Sequence, residues 1–214
     1  MHGCHFSRQS FSAGDTTTTR PKAQGFTIIE LMVTVSVAAI ILALAIPSFQ
    51  SSIASNRLMT ATNQIVAALN QAKSEALRRN ARAVLCRDNG NGQCNADAGP
   101  WDNGWIVFVD TTPVNPPAIA DADTIIARGA AHGDIAPRGK NTTTKAATAY
   151  IAFAPSGMTR DYATGAQAAT TLRVCSTSAS LSNDMRARDI TIGASGRIAL
   201  ASPSPSVAKE CPAP

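Results

Sequence analysis

Residues 22–49 read KAQGFTIIELMVTVSVAAIILALAIPSF, and the interpretation of the whole chain turns on them. Leu31 to Ile46 is sixteen residues without a charge. Extended to Phe26–Phe49, the apolar run spans twenty-four residues, interrupted only by Glu30, Pro47 and small polar residues. A helix rises about 1.5 Å per residue, so the run is long enough to cross ~30 Å of hydrocarbon. Two ordinary explanations fit it poorly. A secretory signal has a shorter apolar region followed by a small-x-small cleavage site, and no such site follows cleanly here. A plain membrane anchor leaves Glu30 unexplained, because a carboxylate one turn into an apolar stretch is costly and usually functional.

Upstream, residues 1–25 are polar and carry Arg8, Arg20 and Lys22 against Asp15, a net charge of +2. Basic residues ahead of an apolar helix hold that side in the cytoplasm. The junction Lys22-Ala-Gln-Gly25-Phe26-Thr-Ile-Ile-Glu30-Leu31 resembles the class III signal of type IV prepilins and type II secretion pseudopilins. The resemblance implies that a prepilin peptidase cuts between Gly25 and Phe26 and that Phe26 becomes the N-methylated first residue of the mature chain. The leader is longer than most of its kind, so the expected start codon lies at or downstream of Met1. The residues fit these roles. Gly25 lacks a Cβ and lets the backbone lie flat in a protease cleft. Glu30 is one turn from Phe26 on the same helix face. Buried in a fibre core its carboxylate needs a partner, which the resemblance gives as the terminal amine of a neighbouring subunit, setting axial register. Pro47 removes a backbone donor and is expected to kink or locally melt the helix.

Beyond Pro47 the pattern becomes amphipathic. Leu58, Ile65, Leu69, Ala72 and Ala76 recur at helical spacing, so the helix is expected to continue over residues 50–80 and to present an apolar stripe. Arg78, Arg79 and Arg82 gather at its end, where cations complement the helix dipole. From residue 81 the period shifts towards two. Short runs at residues 83–87, 105–110, 124–127, 150–153, 172–175, 189–192 and 197–200 read as strands, separated by Asn/Gly, Pro-rich and Gly-Ala-Ser-Gly turns. The layout is α+β: one long helix, hydrophobic and then amphipathic, packed on an antiparallel β domain at 81–200. A Pro/Ser tail occupies 201–214.

Within that domain Trp101-Asp-Asn-Gly104-Trp105-Ile-Val-Phe108-Val-Asp110 resembles a segment of GspH/FimT-type minor pilins and pseudopilins. Phe153-Ala-Pro155-Ser-Gly157 and Ser195-Gly196-Arg197-Ile198 resemble later blocks of the same family. The implied fold is type IV pilin-like, with other pilins or pseudopilins, the peptidase and inner-membrane lipid as partners. The precursor would be a single-pass inner-membrane protein, and the mature chain part of a periplasmic or cell-surface pilus or pseudopilus. Read for themselves, Trp105, Val107 and Val109 alternate with Ile106 and Phe108, as in a strand buried on both faces, and both tryptophans read as core.

The chain of 214 residues suits one domain plus an appendage. Hydrophobic content of 44% supports a core, and a charged fraction of only 15% is well below the usual quarter. Outside the leader, with its His2 and His5, His132 is the sole imidazole, which argues against His-based metal sites and catalysis. No phosphate-binding G-x-x-x-x-G-K-[ST] loop occurs, and Gly90-Asn-Gly92 lacks the third glycine of a dinucleotide site. Residues 88–97 are oxygen-rich but miss the EF-hand spacing. A non-enzyme without cofactor or metal is expected.

Cys4 belongs to the leader, leaving Cys86, Cys94, Cys175 and Cys211. In an exported domain an even set reads as two disulfides. Of three pairings the preferred one joins Cys86 to Cys94, closing the Gly/Asn loop, and Cys175 to Cys211, pinning the tail. The rival, a zinc site, lacks any C-x-x-C.

Downstream of residue 56 there are sixteen Lys/Arg against twelve Asp/Glu. Arg186, Arg188, Arg197 and Lys209 lie near the C-terminus. Some FimT-type minor pilins bind double-stranded DNA through glycine-arginine-x-arginine, and this chain has Gly196-Arg197-Ile198-Ala199, without the second arginine. The resemblance implies one of three roles: a minor type IV pilin, a type II secretion minor pseudopilin of the H type, or a pilus-tip DNA-binding protein for natural transformation.

Overall fold

The computed structural model describes residues 25–208 apart from Ala96, Ala98, Ala131, His132 and Thr143. The expectations for residues 1–24, His132, Lys209 and Cys211 therefore fall outside the described residues. The chain divides into two compact units, the first ending at Ala43 and the second starting at Leu44.

Helix α1 spans Ile28–Arg79 and belongs to both units. It runs unbroken through Pro47, so of the two expected outcomes local melting does not occur. A proline removes one N–H but leaves the other ladder bonds of the helix in place. Asn80 ends α1 in the left-handed region at φ 49°, and the Ala81 N–H closes the last turn onto the Ala76 carbonyl. That is a capping geometry in which asparagine tolerates positive φ.

Ten strands follow, all paired antiparallel: β1 Arg82–Arg87, β2 Trp105–Asp110, β3 Thr124–Gly129, β4 Ile135–Asn141, β5 Ala147–Thr148, β6 Tyr150–Phe153, β7 Thr159–Arg160, β8 Thr170–Ser176, β9 Ala187–Ile192 and β10 Ile198–Ala201. They form two sheets, ordered β3-β2-β1-β6-β7 and β10-β9-β8-β4-β5. A single helical turn, α2 Pro205–Ala208, follows. The fold is thus one long N-terminal helix and two antiparallel sheets, the α+β pilin-type layout anticipated from the sequence.

The core joins three surfaces of the second unit. Ala54, Leu58, Ala61, Ile65, Ala68, Leu69, Ala72 and Ala76 supply the helix stripe. Leu85, Trp105, Val107, Val109, Ile151 and Phe153 supply one face of the first sheet. Ile135, Leu172, Val174, Ile190 and Ile192 supply one face of the second. The opposite face of the first sheet buries a smaller cluster of Val84, Cys86, Ile106, Phe108, Ala152 and Tyr162. Strand β2 is therefore buried at every position, which explains its unbroken apolar run.

Three strands were not legible in sequence: β4, β5 and β7. Residues 135–141 are not among the runs that read as strands, and they contain Pro137 and Gly139, which weaken a strand pattern. Pro137 is tolerated because its side of β4 faces away from β8. Its carbonyl accepts the Trp101 N–H at 2.8 Å there, so the missing proline N–H costs no ladder bond. Gly139 is required by close approach, since a Cβ would lie 2.7 Å from the Thr148 carbonyl oxygen.

Candidate functional site

At the head of α1, Gly25, Phe26 and Thr27 lie outside the helix and Glu30 sits in its first turn. The Glu30 N–H donates to Thr27 Oγ1 at 3.2 Å, and the Leu31 N–H to the Thr27 carbonyl at 3.1 Å. Thr27 is thus the N-cap, a role the sequence analysis missed although threonine-x-x-glutamate ahead of an apolar run signals it. Phe26, Glu30 and the apolar residues from Ile28 to Leu42 are exposed. By length and composition this helix can cross a membrane.

Within the second unit, the two glycine turns of the family-like blocks meet. Gly157 (φ 74°) lies in the β6–β7 turn and Gly196 (φ 74°) in the β9–β10 turn. A Cβ on Gly196 would overlap the Gly157 carbonyl oxygen. From α1, Lys73 Nζ donates to the Gly196 carbonyl at 2.9 Å. Thr159 continues the seam: its N–H donates to the Ala194 carbonyl at 3.1 Å and its Oγ1 to the Gly193 carbonyl at 2.9 Å. The two sheets and the helix are therefore fastened at one point.

Arg197 follows that turn and is exposed. It borders an open depression of about 490 Å³ lined by Thr142, Thr171, Thr191, Ser195 and Ala199. No ion pair holds it among the described residues. Lys140, Thr171, Thr191 and Ala199 stand in one cross-strand row. The basic residue in register with this patch is thus Lys140, which sequence reasoning missed because β4 was not recognised. Arg186 and Arg188 are different. Both are partly buried, and they donate to the carbonyls of Leu181 (2.6 Å) and Ala187 (2.8 Å). Arg188 lies five residues before the β9–β10 turn, roughly 16 Å along the strand. The fold does not bring the three arginines together. The charge buried on this sheet is the pair Arg173–Asp189, joined through Nε–Oδ1 at 2.7 Å and Nη2–Oδ2 at 2.8 Å.

Cys86 and Cys94 form a disulfide. Cys175 is also disulfide-bonded, and its expected partner Cys211 lies outside the described residues. The loop between Cys86 and Cys94 is organised by its own side chains. Asp88 Oδ1 accepts the N–H groups of Gly90 and Gly92, and Asn89 Oδ1 those of Asn91 and Gln93. Among the described residues no group of His, Cys, Asp or Glu is arranged to hold a metal.

Beneath the loops covering the first sheet, the Tyr162 hydroxyl donates to Asp110 Oδ2, and the Arg82 guanidinium lies 4.5 Å from the Tyr162 ring centre. Burial pushes the Asp110 carboxyl above the ordinary carboxylate range. Burial, together with the Asp110 carboxylate, pushes the Tyr162 hydroxyl well above its own.

A long helix, apolar and then amphipathic, leading into two antiparallel sheets defines the chain as a pilin-type subunit. The family described as Type II transport protein GspH matches residues 61–196, and the prokaryotic N-terminal methylation motif matches residues 20–46. The chain belongs to the GspH family of minor pilins and pseudopilins. Two crystal structures of the type IV minor pilin FimU from Pseudomonas aeruginosa (strain PAO1) are similar to it. The form in space group P65 is 15% identical, with a TM-score of 0.45, over 69% of this chain and 94% of that one. The form in P21 is 15% identical, with a TM-score of 0.41, over 71% and 91%. No curated protein matches the chain.

Proposed function

We propose that the chain is a minor subunit of a type IV pilus. A prepilin peptidase cuts between Gly25 and Phe26, and Phe26 is methylated. The precursor is held in the inner membrane by residues 26–49. The processed helix enters a fibre core among other pilins, and the β domain faces outward. Cleavage leaves an ammonium beside the positive end of the α1 dipole, where it is unfavourable alone. In the fibre Glu30 of this chain takes the terminal amine of a neighbouring subunit, so that each desolvated charge gains the partner it needs.

The observation that carries this reading is one chain holding both the methylation motif and the GspH match, with Glu30 in the first turn of α1. The test is Glu30→Ala in the producing cell. Insertion and processing should persist while recovery of the chain in sheared fibres falls. Normal incorporation would remove the register role.

The family description favours a second reading, a pseudopilin of type II secretion. Neighbouring genes discriminate: pilus genes support the first reading and secretion-apparatus genes the second. A third reading, DNA capture at a pilus tip, is supported by the exposed Arg197 and by Lys140 on the same sheet. With so few cations, binding would be weak, salt-sensitive and without base readout. The full chain in detergent, titrated with duplex DNA at low and moderate salt, tests it. Arg197→Ala with Lys140→Ala should abolish binding, and retention would remove this reading.

A further inference from the structure

We infer that Thr27 keeps the Gly25–Phe26 bond accessible to the peptidase by fixing where α1 begins. The inference rests on the processing reading above. Thr27 Oγ1 takes the orphan N–H of Glu30 and its carbonyl takes the N–H of Leu31, which is N-cap geometry. An N-cap residue has non-helical φ and ψ, so Gly25 and Phe26 before it stay out of the helix. Glu30, at the third helical position, adds a carboxylate where the dipole favours one. Gly25 and Phe26 are non-helical, and among the described residues nothing lies within 4 Å of the position a Cβ on Gly25 would occupy.

Access matters for the chemistry. Hydrolysis breaks the C–N bond between Gly25 and Phe26. Water supplies hydroxyl to the Gly25 carbonyl carbon, leaving a carboxylate, and the Phe26 nitrogen departs protonated. Were the helix to start one turn earlier, the Gly25 carbonyl would accept the Ile29 N–H and be enclosed by the first turn. The Thr27 hydroxyl opposes that shift by satisfying the first turn where it stands.

The experiment uses the full precursor in detergent micelles with a purified prepilin peptidase, cleavage being followed by mass. Thr27→Val keeps the branched shape and deletes the hydroxyl. Its kcat/KM should fall about five-fold, the size of a lost cap. Thr27→Ser and Thr27→Asn, which cap but differ in shape, should stay within about two-fold of the parent. Rescue by asparagine separates capping from packing in the peptidase cleft. A Thr27→Val precursor cleaved at the parental rate or faster, or a Thr27→Asn precursor as slow as Thr27→Val, overturns the inference. A parent that is not cleaved at Gly25–Phe26 removes the processing reading itself, and the role of Thr27 with it.

Discussion

Gly196 of the β9–β10 turn rests directly on the backbone of Gly157 in the β6–β7 turn, with no room between them for a side chain. Each sheet contributes one turn to the contact, and Lys73 of α1 caps it through the Gly196 carbonyl. Two short sequence blocks nearly forty residues apart are thus one structural element.

Substitution at this seam should cost more than backbone strain alone. Gly196→Ala meets positive φ and the Gly157 carbonyl together. Gly165 has a similar φ of 68°, and among the described residues nothing lies within 4 Å of a Cβ there. Gly165→Ala should lose about 1 kcal/mol and Gly196→Ala at least ~2 kcal/mol. Urea unfolding followed by the fluorescence of Trp101 and Trp105 reads both. Equal losses would show that the two turns can separate freely.

The buried Arg173–Asp189 pair should behave non-additively. Arg173→Leu alone strands a carboxylate and should cost ~3–5 kcal/mol. Adding Asp189→Leu removes the stranded charge and should recover part of that loss. A double variant no more stable than Arg173→Leu would contradict this.

Stability should fall as pH rises past the carboxylate range, in part through Asp110. Its raised value means that the folded chain keeps a proton the unfolded chain has released. The contribution is fully present below the unfolded value, about 3.9, and is lost as pH climbs through the folded one. Tyr162 acts with the same sign at alkaline pH, because its hydroxyl is also raised. Asp110→Asn retains a side-chain oxygen for Tyr162 but cannot titrate. Unfolding free energies of the two proteins should converge or cross as pH drops towards 4, and a constant difference between pH 3.5 and 8 would rule the effect out.

The two cysteine bridges should differ in reach. Replacing Cys86 and Cys94 by alanine opens a loop of sequence separation 8 and should cost about 2–3 kcal/mol. Non-reducing peptide mapping should find the Cys175 peptide joined to that of Cys211. A Cys175 peptide linked elsewhere would refute the pinned tail.

The parts legible in sequence were those encoded by local pattern. Sixteen uncharged, largely apolar residues specify a helix where they lie in lipid, because a lone segment can satisfy its backbone there only within itself. Leu58, Ile65, Leu69, Ala72 and Ala76 share a face by periodicity alone, and β2 announces itself by the unbroken apolar run from Trp105 to Val109. The methylation motif over residues 20–46 is recognisable because its spacing is a local code. Tertiary structure decided the rest. Strand β4 exists although Pro137 and Gly139 argue against it, because Trp101 takes the free carbonyl of Pro137 and β5 crowds Gly139. The C-terminal arginines look alike in sequence. Register and burial divide them, turning Arg186 inward to the Leu181 carbonyl and leaving Arg197 exposed on the sheet that carries Lys140. Long-range contacts of this kind depend on which strands become neighbours, and a period of two specifies a strand's faces but not the strand beside it.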